Sequence, residues 1–370
     1  MMDYNEFKEG LAEDLINKGF EVGIQPVTKT NGVIEDALYV MGRKASPLIY
    51  LPELYEQYEH GADYYEMLSY VSEYMAGYER DSHFRAVRSL PLDDVMRSTQ
   101  KPIYSMLISR HENEELLKTL PHRDFLDMAQ IYYVDLSEFG VQGTAKITNS
   151  MAEEFNLTEE ELNKISGTNM RFAAKCYDLG DMVLSFGNTD LLTDFLSTGS
   201  IPESAGMFVL TNEGTHFGSG LLTQKDLLDR IAEMLGENMY VIPSSIHELI
   251  LVRADSVPDP EILKGMVHDV NESTVDEKER LTGSVYYYDR NERSLSIACA
   301  EYAQDRNLKE FASPDLGREA DIERIELDPT DRDRHAAPRR DPAEEYPAFT
   351  DQKDQEIGYC QPKRDKGYEQ

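Results

Sequence analysis

The chain has 370 residues, is 40% hydrophobic and carries 70 acidic against 37 basic side chains, a formal charge of −33. That apolar content suffices for real cores in two or three domains, while the charge repels a phosphate backbone or an anionic membrane and so argues against nucleic-acid and membrane partners. There is no apolar run long enough to span a bilayer and no basic, apolar leader over Met1–Glu6, so the cytoplasm is the expected address.

Tyr4, Phe7, Leu11 and Leu15 recur at helical spacing over 3–17, with Asp3 and Glu6 set as a capping pair. Phe20, Val22 and Ile24 alternate as a strand, and Asn31-Gly32 supplies the positive φ angles of a tight turn into a second strand over 33–41. A third strand is predicted over 46–51, ended by Pro52. A helical stripe then runs through Tyr64, Met67, Leu68, Val71, Tyr74, Met75 and Tyr78. Residues 103–109 read as a buried strand, 112–119 as a short helix, 125–136 as a second apolar strand and 143–148 as its neighbour. Thr158 and Glu161 form a capping box that opens a helix reaching towards Tyr177. Residues 178–206 are poorly patterned and punctuated by Gly180, Gly187, Gly199 and Pro202, which places a domain boundary there.

In the second half, 207–211 and 215–222 flank Asn212-Glu213-Gly214 as a predicted hairpin. A helix buries Leu227, Leu228, Ile231, Met234 and Leu235 and stops at Gly236. Strands over 239–242 and 247–252, a helix over 258–271 and a last strand over 284–289 give the order ββαββαβ. Paired strands interrupted by helices predict an α+β fold of mixed or antiparallel sheets with helices on one face. Two subdomains are expected, 1–190 and 200–303. Beyond Asn307 apolar side chains are sparse and Asp, Glu, Arg and Pro dominate, so 307–370 is expected to be a disordered, charged tail. Residues 301–370 hold 19 acidic and 12 basic side chains, a charge of −7, so −26 of the total of −33 lies in the first 300 residues.

The chemistry-bearing stretch is Tyr240–Val252, where Ser244, Ser245, His247 and Glu248 sit between two strand-forming runs. A nucleophile, a base and a carboxylate are what acyl transfer needs, and this set is the candidate for a hydrolase. Strand geometry opposes it: Ser245 and His247 share a face and Glu248 points to the other, so the serines are read as turn residues whose hydroxyls satisfy loop amides. His247-Glu248 also begins an HExxH pattern, but position 251 is Leu, and His216 and His268 are scattered in sequence, so no metal site is expected. His122-Arg123-Asp124 has the letters of a kinase catalytic loop, with Ala129 where the magnesium-binding asparagine belongs. Gly218-Ser-Gly220 offers two glycines of a dinucleotide fingerprint with Thr223 at the third place. Cys176, Cys299 and Cys360 form no CxxC pair and read as structural thiols. No cofactor is expected.

Several ordered segments, Ser46–Leu51, Leu120–Leu126, Met207–Asn212, Asp226–Gly236, Tyr240–Val252, Met266–Asn271 and Ser284–Tyr288, together resemble domain-of-unknown-function family 5688, found in gut-dwelling Gram-positive anaerobes. The resemblance covers residues 3–300 and implies no activity, substrate or catalytic residue. The function expected from the residues is therefore that of a cytoplasmic bacterial protein that binds a basic protein surface through its acidic body. The rival expectation is a hydrolase built on Ser244, Ser245, His247 and Glu248.

Overall fold

The computed structural model describes residues 2–42, 45–80, 101–136, 144–185, 188–302, 304–305, 308 and 357–359. The fold is α+β, and every strand pairing among the described residues is antiparallel. No helix among them is long and apolar enough to cross a membrane.

The first helix, α1 (Tyr4–Asn17), starts where Asp3 accepts from the Glu6 N–H while the Glu6 carboxylate accepts from the Asp3 N–H, the reciprocal box expected from the sequence. It buries Phe7, Leu11 and Leu15. Strands β1 (Val22–Thr28) and β2 (Ile34–Val40) turn at Thr30–Gly32, with Asn31 at φ 60° and Gly32 at φ 72°. The strand expected over 46–51 is divided into β3 (Ala45–Pro47) and β4 (Ile49–Tyr50). The helix α2 (Leu51–Glu59) then begins at once, with Pro52 in its first turn, where the missing N–H costs no hydrogen bond. With α3 (Tyr64–Arg80), these helices share a core with the β1-β2-β4 sheet.

A four-stranded sheet occupies the middle of the chain: β5 (Ile103–Ser109), β6 (His122–Phe125), β7 (Met128–Asp135) and β8 (Thr144–Lys146), with α4 (Glu114–Leu117) between β5 and β6. The run expected as one strand over 125–136 is interrupted at Leu126, φ 56°, so that β6 folds back on β7. Along β7, Ile131 and Tyr133 enter one core while Tyr132 and Val134 enter that of α1–α3. Burial on both faces explains why this segment has no polar alternation.

After α5 (Asn149–Glu154) and the boxed helix α6 (Glu159–Ala173), the chain enters a six-stranded sheet. Its strands are β9 (Ala174–Asp178), β10 (Met207–Asn212), β11 (Met239–Pro243), β12 (Leu249–Arg253), β13 (Val285–Asp289) and β14 (Ser294–Cys299), in the order β14-β13-β11-β12-β10-β9. Short helices α7 (Leu179–Leu184) and α8 (Phe195–Thr198) link β9 to β10. The longer α9 (Lys225–Leu235) and α10 (Pro260–Ser273) lie close to the bounds read from periodicity. The boundary drawn near 190–200 falls between β9 and β10, which are paired neighbours, and one buried cluster runs from Met106 to Leu295.

Two expectations in this half are corrected. Thr215–Leu222 is no strand, because Gly218–Thr223 winds as a 3-10 turn and β10 pairs with β9 and β12 instead. This turn lies along β5: the Ser219 hydroxyl accepts from the Leu107 N–H at 3.0 Å, and a β-carbon on Gly220 would collide with the Ser105 carbonyl. The second correction adds β14, which returns from β13 through a turn with Arg293 at φ 52°. The tail expected over 307–370 lies outside the described residues, apart from Leu308 and β15 (Ile357–Tyr359), whose backbone pairs with β3.

Candidate functional site

The loop after β11 is held from two sides. Gly218 N–H donates to the His247 carbonyl at 2.9 Å and Ser219 N–H to that of Ile246 at 3.2 Å, while the Ile246 N–H donates to the Glu279 carbonyl at 2.9 Å. The clamp turns the His247 ring towards a cavity of about 40 Å³ lined by the residue pairs Lys29 and Thr30, Thr144 and Lys146, His216 and Phe217, Ile246 and His247, and Lys278 and Glu279, together with Met106. Six separate stretches of chain thus meet at one small hollow, on the order of two or three water positions.

Its imidazoles are ordered by neighbours. The Phe217 N–H donates to His247 Nδ1 at 3.2 Å, which makes Nδ1 the acceptor and places the ring proton on Nε2. Nε2 faces Glu279 Oε1 at 3.6 Å, beyond the range of a normal hydrogen bond. The facing His247 ring holds the Glu279 carboxyl below the usual carboxylate range, with Lys278 and His216 adding to an effect that burial opposes. His216 packs at 4.7 Å from His247, and Phe217 stacks on His247 at 5.3 Å and 12°. Thr215 and Phe217 take φ 52° and 56°, a left-handed conformation that a β-branched and an aromatic residue rarely adopt.

The lysines come from opposite ends of the chain. Lys278 Nζ lies 3.2 Å from Glu35 and 2.9 Å from Glu53. Burial works against its charge, but those two carboxylates prevail and hold it above the usual lysine range. Lys29 is buried, and its ammonium stands 3.5 Å from the centre of the Tyr50 ring. The tip of the β1–β2 hairpin docks beside them: Thr30 donates to the Lys278 carbonyl, and the Asn31 amide donates to the carbonyls of Glu277 and Arg280.

The family of unknown function DUF5688 matches residues 4–290, most of the chain. The chain belongs to this family. No curated protein and no solved structure matches it.

Of the four residues singled out in this DUF5688 chain, only His247 lines the cavity. Ser245 is buried, and its hydroxyl accepts from the His247 backbone N–H at 3.1 Å. Ser244 and Glu248 are half-buried outside the lining, and the carboxylate facing the imidazole is Glu279. His216 does approach His247, whereas His268 lies on α10 beside a separate cleft with Lys264 and Arg280. Among the described residues no group of three His, Cys, Asp or Glu side chains is placed to hold a metal.

The remaining motifs have structural partners. Arg123 grips Glu159 through Nε at 3.0 Å and Nη2 at 2.8 Å, and the Tyr132 hydroxyl donates to the same carboxylate at 2.5 Å. Gly218 and Gly220 serve close backbone approach, not a phosphate cradle. Burial, with the Asp194 charge behind it, pushes the Cys176 thiol up to about 12, and burial leads in raising Cys299 to about 11; Cys360 lies outside the described residues. Sequence reasoning missed Lys29, Lys146, Lys278 and Glu279. The last two sit in Asp276-Glu-Lys-Glu-Arg280, a charge run that reads as a solvated face.

Proposed function

We propose that the protein works by binding and not by turning over a substrate, with a basic protein surface as the partner of its acidic body and the bacterial cytoplasm as its setting. What supports this reading is how the groups fit for catalysis are used. His247 accepts the Phe217 N–H at one ring nitrogen and turns the other to Glu279, so both ring nitrogens face groups other than a nucleophile. The Ser245 hydroxyl serves the backbone beside it, as a loop-shaping side chain does. The charge of −33 selects the chemistry of the partner.

The His247–Glu279 contact favours the rival reading, since an imidazole backed by a carboxylate is the orienting half of a triad. A fluorophosphonate probe separates the two. We expect no Ser245-dependent labelling; adduct on Ser245 in the native protein, lost in Ser245→Ala, would establish the hydrolase. For the binding reading, cross-linking in native lysate followed by purification of the captured protein is expected to give a partner with a basic face, bound more weakly as salt rises towards about 0.15 M. Affinity indifferent to salt would remove the acidic surface from the account.

A further inference from the structure

We propose that the outward face of α10 docks a helix of the partner protein, one whose apolar stripe is flanked by lysine or arginine. This rests on the reading of a basic partner given above and places that partner on one element.

The helix α10 carries more apolar surface than the fold uses. Leu263 and Val267 enter a core with Ile242, Val252 and Val285, which is all that an amphipathic helix needs to hold to its sheet. Ile262, Met266 and Val270 do not join them. They follow one another at i, i+4 and i+8 and stand 54%, 43% and 41% exposed. Single exposed apolar side chains are ordinary, but three in line on one helix make a second stripe, about 12 Å long, that nothing among the described residues covers. A straight ridge of this kind is what another helix packs against. Gly265 adds to the fit: it lies one turn from both Ile262 and Asp269, a β-carbon there would meet nothing within 4 Å, and the missing side chain lets a second backbone come close.

Charge selects the occupant. Asp259 and Glu261 are exposed at the start of the stripe and Asp269 beside Met266 and Val270, while the lysine of this helix, Lys264, donates to the Ala300 carbonyl at 2.7 Å. A second copy of this chain would set the same acids against one another, and the chain's own residues 301–370 carry a charge of −7. Lysine or arginine beside a partner's apolar stripe meets those carboxylates instead, as flanking charges do between paired helices, and fixes orientation and partner choice.

The test uses the full chain and three probe peptides: an amphipathic helix of leucine and lysine, the same helix with glutamate for lysine, and oligolysine, which has no apolar face. Calorimetry measures binding, and methionine oxidation by dilute peroxide, read by mass spectrometry, locates it. Met41 is 43% exposed, as Met266 is, and serves as the internal control. We expect one leucine-lysine helix to bind per chain, about tenfold or more tighter than either other peptide, and to slow oxidation of Met266 about tenfold with Met41 unchanged. Ile262→Gln combined with Met266→Gln keeps helix propensity and should weaken binding about tenfold. Leu184→Gln, at an exposed apolar side chain on α7, should leave it unchanged. If the leucine-lysine helix binds but protects Met41 and Met266 alike, or binds the double variant as well as the native chain, this face is not the site and the basic-partner reading stands without it. If neither basic peptide binds, both fall. A native dimer that the double variant dissociates would give the stripe to a second copy, and a free monomer in which Met266 oxidises about tenfold more slowly than Met41 would give it to a segment of this chain; either overturns the proposal.

Discussion

Gly220 occupies a point where a β-carbon has no room, because the Ser105 carbonyl oxygen of β5 fills the space. Backbone cannot swing aside as a side chain can, so Gly220→Ala should force β5 and the 3-10 turn apart and cost about 3 kcal/mol or more. Gly265, inside α10, has nothing within 4 Å of the same position, and Gly265→Ala should stabilise by about 0.5–1 kcal/mol through helix propensity alone. Urea denaturation of both variants checks the pair, and equal stabilities would mean that the turn is not wedged against β5. At this scale the sequence was half legible. Gly218-Ser-Gly220 stood out, but a glycine kept for close approach looks the same in sequence whether the neighbour is a phosphate or a strand. The preceding residues, read as half of a hairpin, gave no hint that β5, more than a hundred positions away, was the neighbour.

Between elements, Asp229 on α9 joins the Tyr288 hydroxyl of β13 to Arg293 in the turn before β14. Burial tends to raise the Asp229 pKa, but the bonds from Arg293 and Tyr288 prevail and hold it below the usual carboxylate range. A group whose folded pKa is lowered contributes stability above its unfolded value, about 3.9, and loses it as pH falls through the folded value. Asp229→Asn should therefore cost about 1–2 kcal/mol near neutrality, and the gap between variant and wild type should close below about pH 4. A gap that stays constant on acidification would show that the carboxylate charge is not what binds α9 to β13. The same turn shows why some elements escaped the sequence. Hairpin signals depend on Asn or Gly at positive φ, as at Asn31-Gly32, whereas here Arg293 takes that conformation, Leu126 does so between β6 and β7, and Thr215 and Phe217 do so after β10. Each is a turn that tertiary contacts impose on residues with no preference for it. Where local chemistry and tertiary structure agree, as at the boxes of Asp3–Glu6 and Thr158–Glu161 or the Gly236 stop, the boundaries were readable.

On the scale of the molecule, the candidate site draws Lys29 and Lys278 together from positions 249 residues apart, so no window of sequence contains it. The surrounding surface is governed by one quantity, the charge of −33. Self-repulsion of that size opposes compaction, and it is long-ranged when salt is scarce, since the Debye length is about 30 Å at 0.01 M and about 8 Å at 0.15 M. Attractive pairs are screened by the same salt, but the short contacts of Lys278 with Glu35 and Glu53 are largely shielded from solvent and lose little. Repulsion among many exposed carboxylates should therefore fade faster than attraction within a few buried pairs. Melting temperature is expected to rise by about 2 °C or more when sodium chloride is increased from about 0.01 to 0.15 M. Calorimetric melts across that range provide the measurement. A flat or falling melting temperature would mean that favourable surface pairs already compensate the excess of acids, and would weaken the case that this surface awaits a basic partner.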